Sequence, residues 1–297
     1  MPVWSPDLVV DEPLVRRLIG QFPEVELRSL VPFAEGWDNA VWLADERWAF
    51  RFPQREIGAP GLLNELAVLP HLAGRLPLAV PNPIFVGEAV DGYPWPFFGS
   101  ELLPGREACD AELDEDARLA VALQVAELAR RLHALDPPAD LPVDINGRAD
   151  TTKRVAHTRG QLAEVERLGL WRVPPAVHRL LDEAERLPPP EPPTLVHGDL
   201  HFRHVLVDGG AASGVIDCGD VCLADPAIDL QLVWSFLEPE QRGALLDAYG
   251  PVSEAQLVRA RILALSLCAA LAAYGHGERM ATVEREALDG LARAARD

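Results

Sequence analysis

His197, Asp199, His201 and His204 crowd into eight residues, and Asp217 follows thirteen further on. They belong to one segment, Leu195-Val196-His197-Gly198-Asp199-Leu200-His201-Phe202-Arg203-His204-Val205-Leu206-Val207-Asp208, which continues through Gly209-Gly210 to Gly214-Val215-Ile216-Asp217. Two short apolar runs, Val205–Val207 and Gly214–Ile216, flank the Gly-Gly turn and are expected to pair as an antiparallel hairpin. If Val205–Asp208 faces Ser213–Ile216, His204 and Asp217 stand at the same open end of that hairpin. The loop carrying His197, Asp199 and His201 leads directly into that end. Imidazoles and carboxylates gathered in this way can hold a metal for hydrolysis. They can also hold a metal–nucleotide and orient a hydroxyl for phosphoryl transfer.

The spacing favours the second chemistry. Phosphoryl transfer asks for a carboxylate beside the acceptor hydroxyl and one or two metal ligands on the nucleotide phosphates. The protein-kinase plan supplies them as an Asp, a residue five later and a second Asp after a hairpin. Asp199, His204 and Asp217 stand in that order, five and eighteen residues apart from the first. A metal-dependent hydrolase using His197, Asp199, His201, His204 and Asp217 is the competing reading. It finds no further well-spaced His-x-His element and leaves the upstream part of the chain unexplained.

His197-Gly198-Asp199-Leu200-His201, then Ile216-Asp217, then Asp225-Pro226-Ala227-Ile228-Asp229-Leu230 closely resemble the aminoglycoside phosphotransferase family, kinase-like proteins that phosphorylate small-molecule hydroxyls. The resemblance covers roughly residues 25 to 235. It implies Asp199 as the catalytic base, His204 and Asp217 as ligands of Mg²⁺, and ATP or GTP as phosphate donor. Glu35-Gly36-Trp37-Asp38-Asn39 resembles the turn that covers the phosphates, which makes Asp38 and Asn39 candidate nucleotide contacts. Arg51, in Arg51-Phe52-Pro53, would reach the α- and β-phosphates while paired with Glu65 of the following helix. Leu103-Pro104-Gly105 resembles the hinge, where Glu101 and Leu103 would offer backbone groups to the nucleobase. His197 would orient the catalytic loop and Asp229 would bond to it; Asp225 reads as a helix cap. His201 is read either as loop packing or as support for the site.

Two positions depart from the pattern. His204 stands where Asn is usual and Arg51 where kinases carry Lys. Imidazole is a softer ligand than an amide oxygen, which makes Mn²⁺ an alternative metal. The two departures also leave a nucleotide-binding pseudokinase as a further alternative. The acceptor implied is an antibiotic, aminoglycoside or macrolide. His204 leans toward a macrolide, for which Trp171, Trp234 and Tyr274 are a candidate apolar wall. Arg203 is read as a surface residue, and His71, His133, His157, His178 and His276 as helix-borne fillers.

The elements that must position these groups fall into two parts. Strand-like runs cover Leu27–Phe33, Val41–Ala44, Trp48–Phe52, Pro83–Gly87 and Phe97–Leu103, with one helical pattern through Leu62, Leu66, Leu69 and Leu72. From about Asp110 the pattern is mostly helical: Leu113–Leu135, Thr151–Leu168, Ala176–Leu187, and three helices from Leu232 onward, broken near Gly250-Pro251 and Gly275. The fold class expected is α+β, a bilobal kinase-like fold. Residues 1–104 would form a nucleotide-binding lobe with an antiparallel sheet and one helix. Residues 105–297 would form a mostly helical catalytic and acceptor-binding lobe.

The chain of 297 residues carries 27 Lys and Arg against 46 Asp and Glu, a net charge of −19. Such a balance repels nucleic-acid phosphates and anionic membrane surfaces, and it favours cationic small molecules. No apolar run reaches the roughly 18 residues of a membrane span; the longest, Leu263–Ala273, is short and follows Arg261. The first residues, Met1-Pro2-Val3-Trp4-Ser5-Pro6-Asp7, lack an export pattern, and the four cysteines suit reduced thiols. A cytoplasmic monomer or homodimer acting on a small, cationic acceptor is the expectation.

Overall fold

The computed structural model describes residues 6–36 and 38–297; Trp37, in the expected phosphate-covering turn, and the first five residues lie outside it. The chain divides into two compact units. The first runs to Arg75 and resumes over Ala79–Leu103; the second comprises Leu76–Leu78 and Pro104–Asp297.

The first unit contains α1 (Glu12–Ile19), β1 (Leu30–Glu35), β2 (Asn39–Ala44), β3 (Trp48–Pro53), α2 (Ala59–Leu72), β4 (Phe85–Gly87) and β5 (Phe97–Glu101). Its five strands form one antiparallel sheet in the order β1-β2-β3-β5-β4. Alternation decides which face is buried: Ala40, Trp42 and Ala44 of β2 point inward, and Phe50 and Phe52 of β3 are fully buried. Phe52 stacks on Phe97 at 4.9 Å between centroids, and Phe22, Phe85 and Tyr93 extend the aromatic core. Helix α1 lies outside the single expected helix. Its signal was present, with Asp11 accepting from Leu14 N, Pro13 in the first turn, and Val15, Leu18 and Ile19 filling the aromatic core.

The second unit contains β6 (Arg106–Glu107), α3 (Glu115–His133), α4 (Thr151–Arg167), α5 (Pro175–Ala184), β7 (Thr194–Val196), β8 (Val205–Asp208), β9 (Ala211–Val215), β10 (Cys222–Ala224), α6 (Gln231–Phe236), α7 (Arg242–Tyr249), α8 (Glu254–Gly277) and α9 (Ala281–Ala294). Four helices follow residue 230 rather than three. Leu237 turns extended and Pro239 follows, which separates α6 from α7, whereas Gly275 stays inside α8. Helix α8 packs against α4, α6 and α9 and forms the centre of the helical core. It is long and apolar enough to cross a membrane, contrary to the run-length reading, but most of it is buried in this core.

Buried ion pairs brace the unit. Arg259 of α8, 1 % exposed, meets Asp225 at 3.0 Å and donates to the carbonyls of Ala149 and Pro188. Asp225 also accepts from Ala227 N and Glu191 N, so the Pro188–Pro193 connector is fastened to the start of the segment before α6. Asp225 thus caps a short 3₁₀ turn, in keeping with its structural reading.

Two small antiparallel ribbons position the loops of interest. β7 pairs with β10, and β8 pairs with β9 and β6. The connection from β7 to β8 is residues 197–204, and that from β9 to β10 is residues 216–221. Strand pairing therefore places both connections side by side.

Candidate active site

In the first unit, Arg51 of β3 forms an ion pair with Glu65 of α2, Nε to Oε2 3.1 Å, and Glu65 is 1 % exposed. A buried carboxylate needs such a partner, so Glu65 is not a solvated helical residue. Asp38 accepts from Arg55 Nη1 at 3.0 Å, and its carbonyl accepts from Gln54 N. Asn39 begins β2 opposite Pro53, and its carbonyl accepts from Gly36 N. Glu101 ends β5 and pairs with Arg47 at 2.6 Å on the surface; Leu103 follows it as the last residue of the unit.

In the second unit the hairpin closes as its sequence requires. Val205 faces Val215, with a bulge between Leu206 and Val207, and Ile216 N donates to the carbonyl of His204. His204 and Asp217 consequently meet at the open end, His204 Nε2 lying 3.4 Å from Asp217 Oδ2. Asp217 adopts a left-handed backbone, φ 61 and ψ 62, a conformation that Asp tolerates better than most residues. Asp199 lies in the neighbouring loop. His201 Nε2 is 3.5 Å and His204 Nδ1 3.6 Å from its Oδ2.

Hydrogen bonds fix the imidazole tautomers. His204 Nδ1 lies 2.8 Å from the Asp199 carbonyl, which can only accept, so Nδ1 carries the proton and Nε2 keeps its lone pair toward Asp217. His201 Nδ1 accepts from Arg203 N, which leaves its Nε2–H toward Asp199. Asp199, His201 and His204 are close enough for a metal, but His201 turns its Nε2–H to the Asp199 carboxylate and His204 its Nδ1–H to the Asp199 carbonyl. This arrangement disfavours the five-residue metal cluster of the hydrolase reading. His204 Nε2 and Asp217 Oδ2 face each other as one nitrogen and one oxygen donor, a mixed set softer than the all-oxygen shell Mg²⁺ prefers.

The loop backbone is held from beneath. Asp229 is fully buried and accepts from His197 N at 2.7 Å and Gly198 N at 3.0 Å. His133 of α3 contacts the same carboxylate at 2.9 Å and Tyr249 Oη at 2.8 Å. His133 is therefore a brace of the loop and not a filler. His197 Nδ1 accepts from Asp199 N, and its Nε2–H donates to the Ile216 carbonyl, tying the two loops together. Gly198, at φ +87, passes so close to the next loop that a Cβ would lie 2.2 Å from the Asp220 carbonyl oxygen. Arg203 is not a free surface residue: it pairs with Glu107 at 3.0 Å.

One cation escaped the sequence reading. Arg148, in the segment between α3 and α4, lies 3.3 Å from Asp199 Oδ1 and 2.6 Å from Asp220 Oδ2, and donates to the Gly198 carbonyl. Burial alone would raise the Asp199 carboxyl, but Arg148, followed by His201, outweighs it and holds Asp199 well below the usual carboxylate range. Burial lowers His197 and His204 below the ordinary imidazole value. Asp229 ends below its usual value because the His133 bond outweighs burial.

These shifts set a pH dependence. A buried His kept neutral stabilises the fold above its unfolded value, about 6.5, and that contribution is lost as pH falls below it. The melting temperature is expected to drop as pH falls through about 6.5 and on toward the lowered folded-state values. Calorimetry of the chain and of His197→Asn checks this: the variant should show a flatter pH slope.

The three residues of the expected apolar wall have different immediate neighbours. Trp234 lies under the guanidinium groups of Arg242 and Arg261, at 4.2 and 5.0 Å. Tyr274 sits thirteen residues beyond Arg261 along α8, about 20 Å away, and Trp171 lines a surface groove with Leu170 and Arg172.

The geometry agrees with what known proteins share with the chain. It is 34 % identical over 145 residues to an aminoglycoside 3'-phosphotransferase of Streptomyces fradiae, covering 48 % of this chain and 53 % of the relative. It is 33 % identical over 152 residues to one of Escherichia coli, covering 46 % and 52 %. The chain spans about half the length of the curated relatives it matches. The solved GDP and kanamycin complex of APH(2'')-IIIa aligns with a TM-score of 0.71 at 23 % identity, covering 96 % of this chain and 98 % of that one. A macrolide 2'-phosphotransferase, MphH of Brachybacterium faecium, aligns at 0.64 and 20 %, covering 95 % and 98 %. At such identities the likeness is one of fold, an α+β kinase-like fold. The model of the phosphotransferase enzyme family matches residues 29–263, a span that reaches into both compact units and includes the loops of the candidate site, and the chain belongs to that family.

Proposed function

We propose that this chain is a small-molecule kinase that moves the γ-phosphate of ATP or GTP to a hydroxyl of an antibiotic-like acceptor, an aminoglycoside or a macrolide. The observation that carries the proposal is the Asp199, His204 and Asp217 constellation at the hairpin mouth, held by Asp229 from beneath. The solved neighbours are described as complexes with GDP, ADP, kanamycin and gentamicin, which supports a nucleotide donor and a small-molecule acceptor.

In this reading the acceptor oxygen attacks the γ-phosphorus, the bond to the β,γ-bridging oxygen breaks, and the nucleoside diphosphate leaves. Asp199 accepts the hydroxyl proton. A carboxylate held this far below its usual range is a weak base, so Asp199 serves chiefly to orient the hydroxyl, and the proton passes late. His204 Nε2 and Asp217 would hold Mg²⁺, with Mn²⁺ as alternative, which when bound would offset charge on the phosphate oxygens. Arg51, oriented by Glu65, would bind the α- and β-phosphates bidentately. Asp38, Asn39, Glu101 and Leu103 would complete the nucleotide site through the turn before β2 and the backbone after β5. The first unit is accordingly assigned to the nucleotide and the second to catalysis and the acceptor.

A panel of aminoglycosides and macrolides, each with ATP and GTP, tests the proposal through the mass of the product. Phosphorylation of a member supports it; nucleotide binding without transfer to any acceptor supports the pseudokinase instead. The −19 balance favours a cationic acceptor, whose KM should rise with salt.

The imidazole ligand makes a separate prediction. His204→Asn replaces a softer donor by an amide oxygen, so the ratio of Mn²⁺- to Mg²⁺-supported rates should fall in the variant. Metal titrations of kcat check this, and an unchanged ratio would remove His204 from the metal site.

A further inference from the structure

Arg148 is the one guanidinium bonded to Asp199 among the described residues, and everything around it is built to keep it there. Its side chain is one-fifth exposed and meets three acceptors: Asp199 Oδ1, Asp220 Oδ2 and the Gly198 carbonyl. The segment that carries it is fastened to β10. Leu223 N donates to the Pro142 carbonyl and Asp144 N to the Leu223 carbonyl, both at 2.9 Å. The Asp144 carboxylate then accepts from Arg148 N at 2.7 Å and Ala149 N at 3.0 Å, which closes the turn and aims Arg148 inward. Asn146 donates to Asp220 at 3.3 Å, and Arg154 of α4 donates to the Asn146 carbonyl. An irregular segment would not otherwise hold a long cationic side chain against its rotamer entropy.

The result is that Asp199 is gripped on both oxygens. Arg148 lies on the Oδ1 side, and His201 and His204 lie on the Oδ2 side. A carboxylate that must present one lone pair to an incoming hydroxyl gains from being prevented from rotating. Arg148 also stands between the like charges of Asp199 and Asp220, which would otherwise repel each other across the Gly198 turn. A planar guanidinium fork is pre-organised to bridge several acceptors, whereas an ammonium is a compact charge on a flexible stem that must be ordered to reach them.

We infer that Arg148 is a positioning residue for Asp199, acting through the carboxylate and the Gly198 carbonyl, and that residues 142–149 belong to the catalytic apparatus as its mount. The inference deepens the phosphotransferase reading and rests on it for the kinetic consequence, though the Arg148–Asp199 coupling itself can be measured without any turnover.

The experiment uses the full chain with Arg148→Ala, Arg148→Lys, Asp199→Asn and the Arg148→Ala/Asp199→Asn double variant. Urea unfolding of the four should show non-additive destabilisation, because removing Arg148 costs less once Asp199 has lost its charge. With nucleotide and an acceptor, Arg148→Ala should lose about 10²-fold in kcat with an unchanged KM for nucleotide. Guanidinium ion, added well below unfolding concentrations, should restore part of that loss, and Arg148→Lys should recover only part of the wild-type rate. Should Arg148→Ala fold poorly, Arg148→Lys carries the same kinetic test. Additive destabilisation, an unchanged kcat, or a loss that guanidinium does not relieve would each overturn the inference. A wild-type chain that transfers phosphate to nothing would instead sink the phosphotransferase reading, with the urea cycle still deciding the coupling.

Discussion

Replacing Asp199 by Asn is expected to lower kcat by about 10²–10⁴-fold while leaving nucleotide binding close to that of the parent chain. Asn keeps the shape but offers one acceptor oxygen and no charge, so it can neither take the proton nor face Arg148 as an anion. Nucleotide contacts, by contrast, are proposed for Arg51, the turn before β2, and His204 and Asp217 through a bound metal. None of these is removed by the substitution. Steady-state rates together with nucleotide-induced shifts in melting temperature measure the two halves of the statement. The charge removed also sits beside Arg148, so some loss of stability accompanies the change.

The second large effect belongs to Asp229. Its carboxylate satisfies two buried backbone N–H groups of the His197–Gly198 turn and the part-buried His133 ring. Asp229→Ala leaves those donors without an acceptor, at about 1–3 kcal/mol for each buried group, and removal of one partner of a buried pair costs about 3–5 kcal/mol. Urea unfolding should show a destabilisation in that range, with most activity lost because the Asp199 loop is no longer supported. Asp229→Asn retains an acceptor oxygen and should fall between the two. A variant as stable as the parent would contradict the bracing role.

Much of this arrangement was legible in the sequence, for physical reasons that can be named. The hairpin followed from two short apolar runs around Gly209-Gly210, and pairing alone brought His204 to Asp217. Period-two burial is clear in β2, whereas β5 is buried over four consecutive residues. The Arg51–Glu65 pair and the Asp229 bonds to the loop of residues 197–204 came from resemblance to a family and not from spacing. Other features had no local signature. Arg148 is fifty residues from Gly198 along the chain, and His133 is ninety-six from Asp229. Such pairs exist only once the helices and ribbons have packed. Helix α1 was missed although its cap and apolar stripe were present, since an eight-residue helix is a weak periodic signal. The apolar stretch before α7 concealed a break, because Leu237 and Pro239 end a helix only six residues long.

Whether Asp199 orients an acceptor hydroxyl for transfer of a nucleotide γ-phosphate is measured most directly with γ-labelled ATP and GTP and Mg²⁺, in the presence of aminoglycoside or macrolide acceptors, for the parent chain and Asp199→Asn side by side. The label is predicted to appear on the acceptor with the parent chain and to remain on the nucleotide with the variant. Label transferred at equal rates by both chains, or released by both only as inorganic phosphate, would contradict that role.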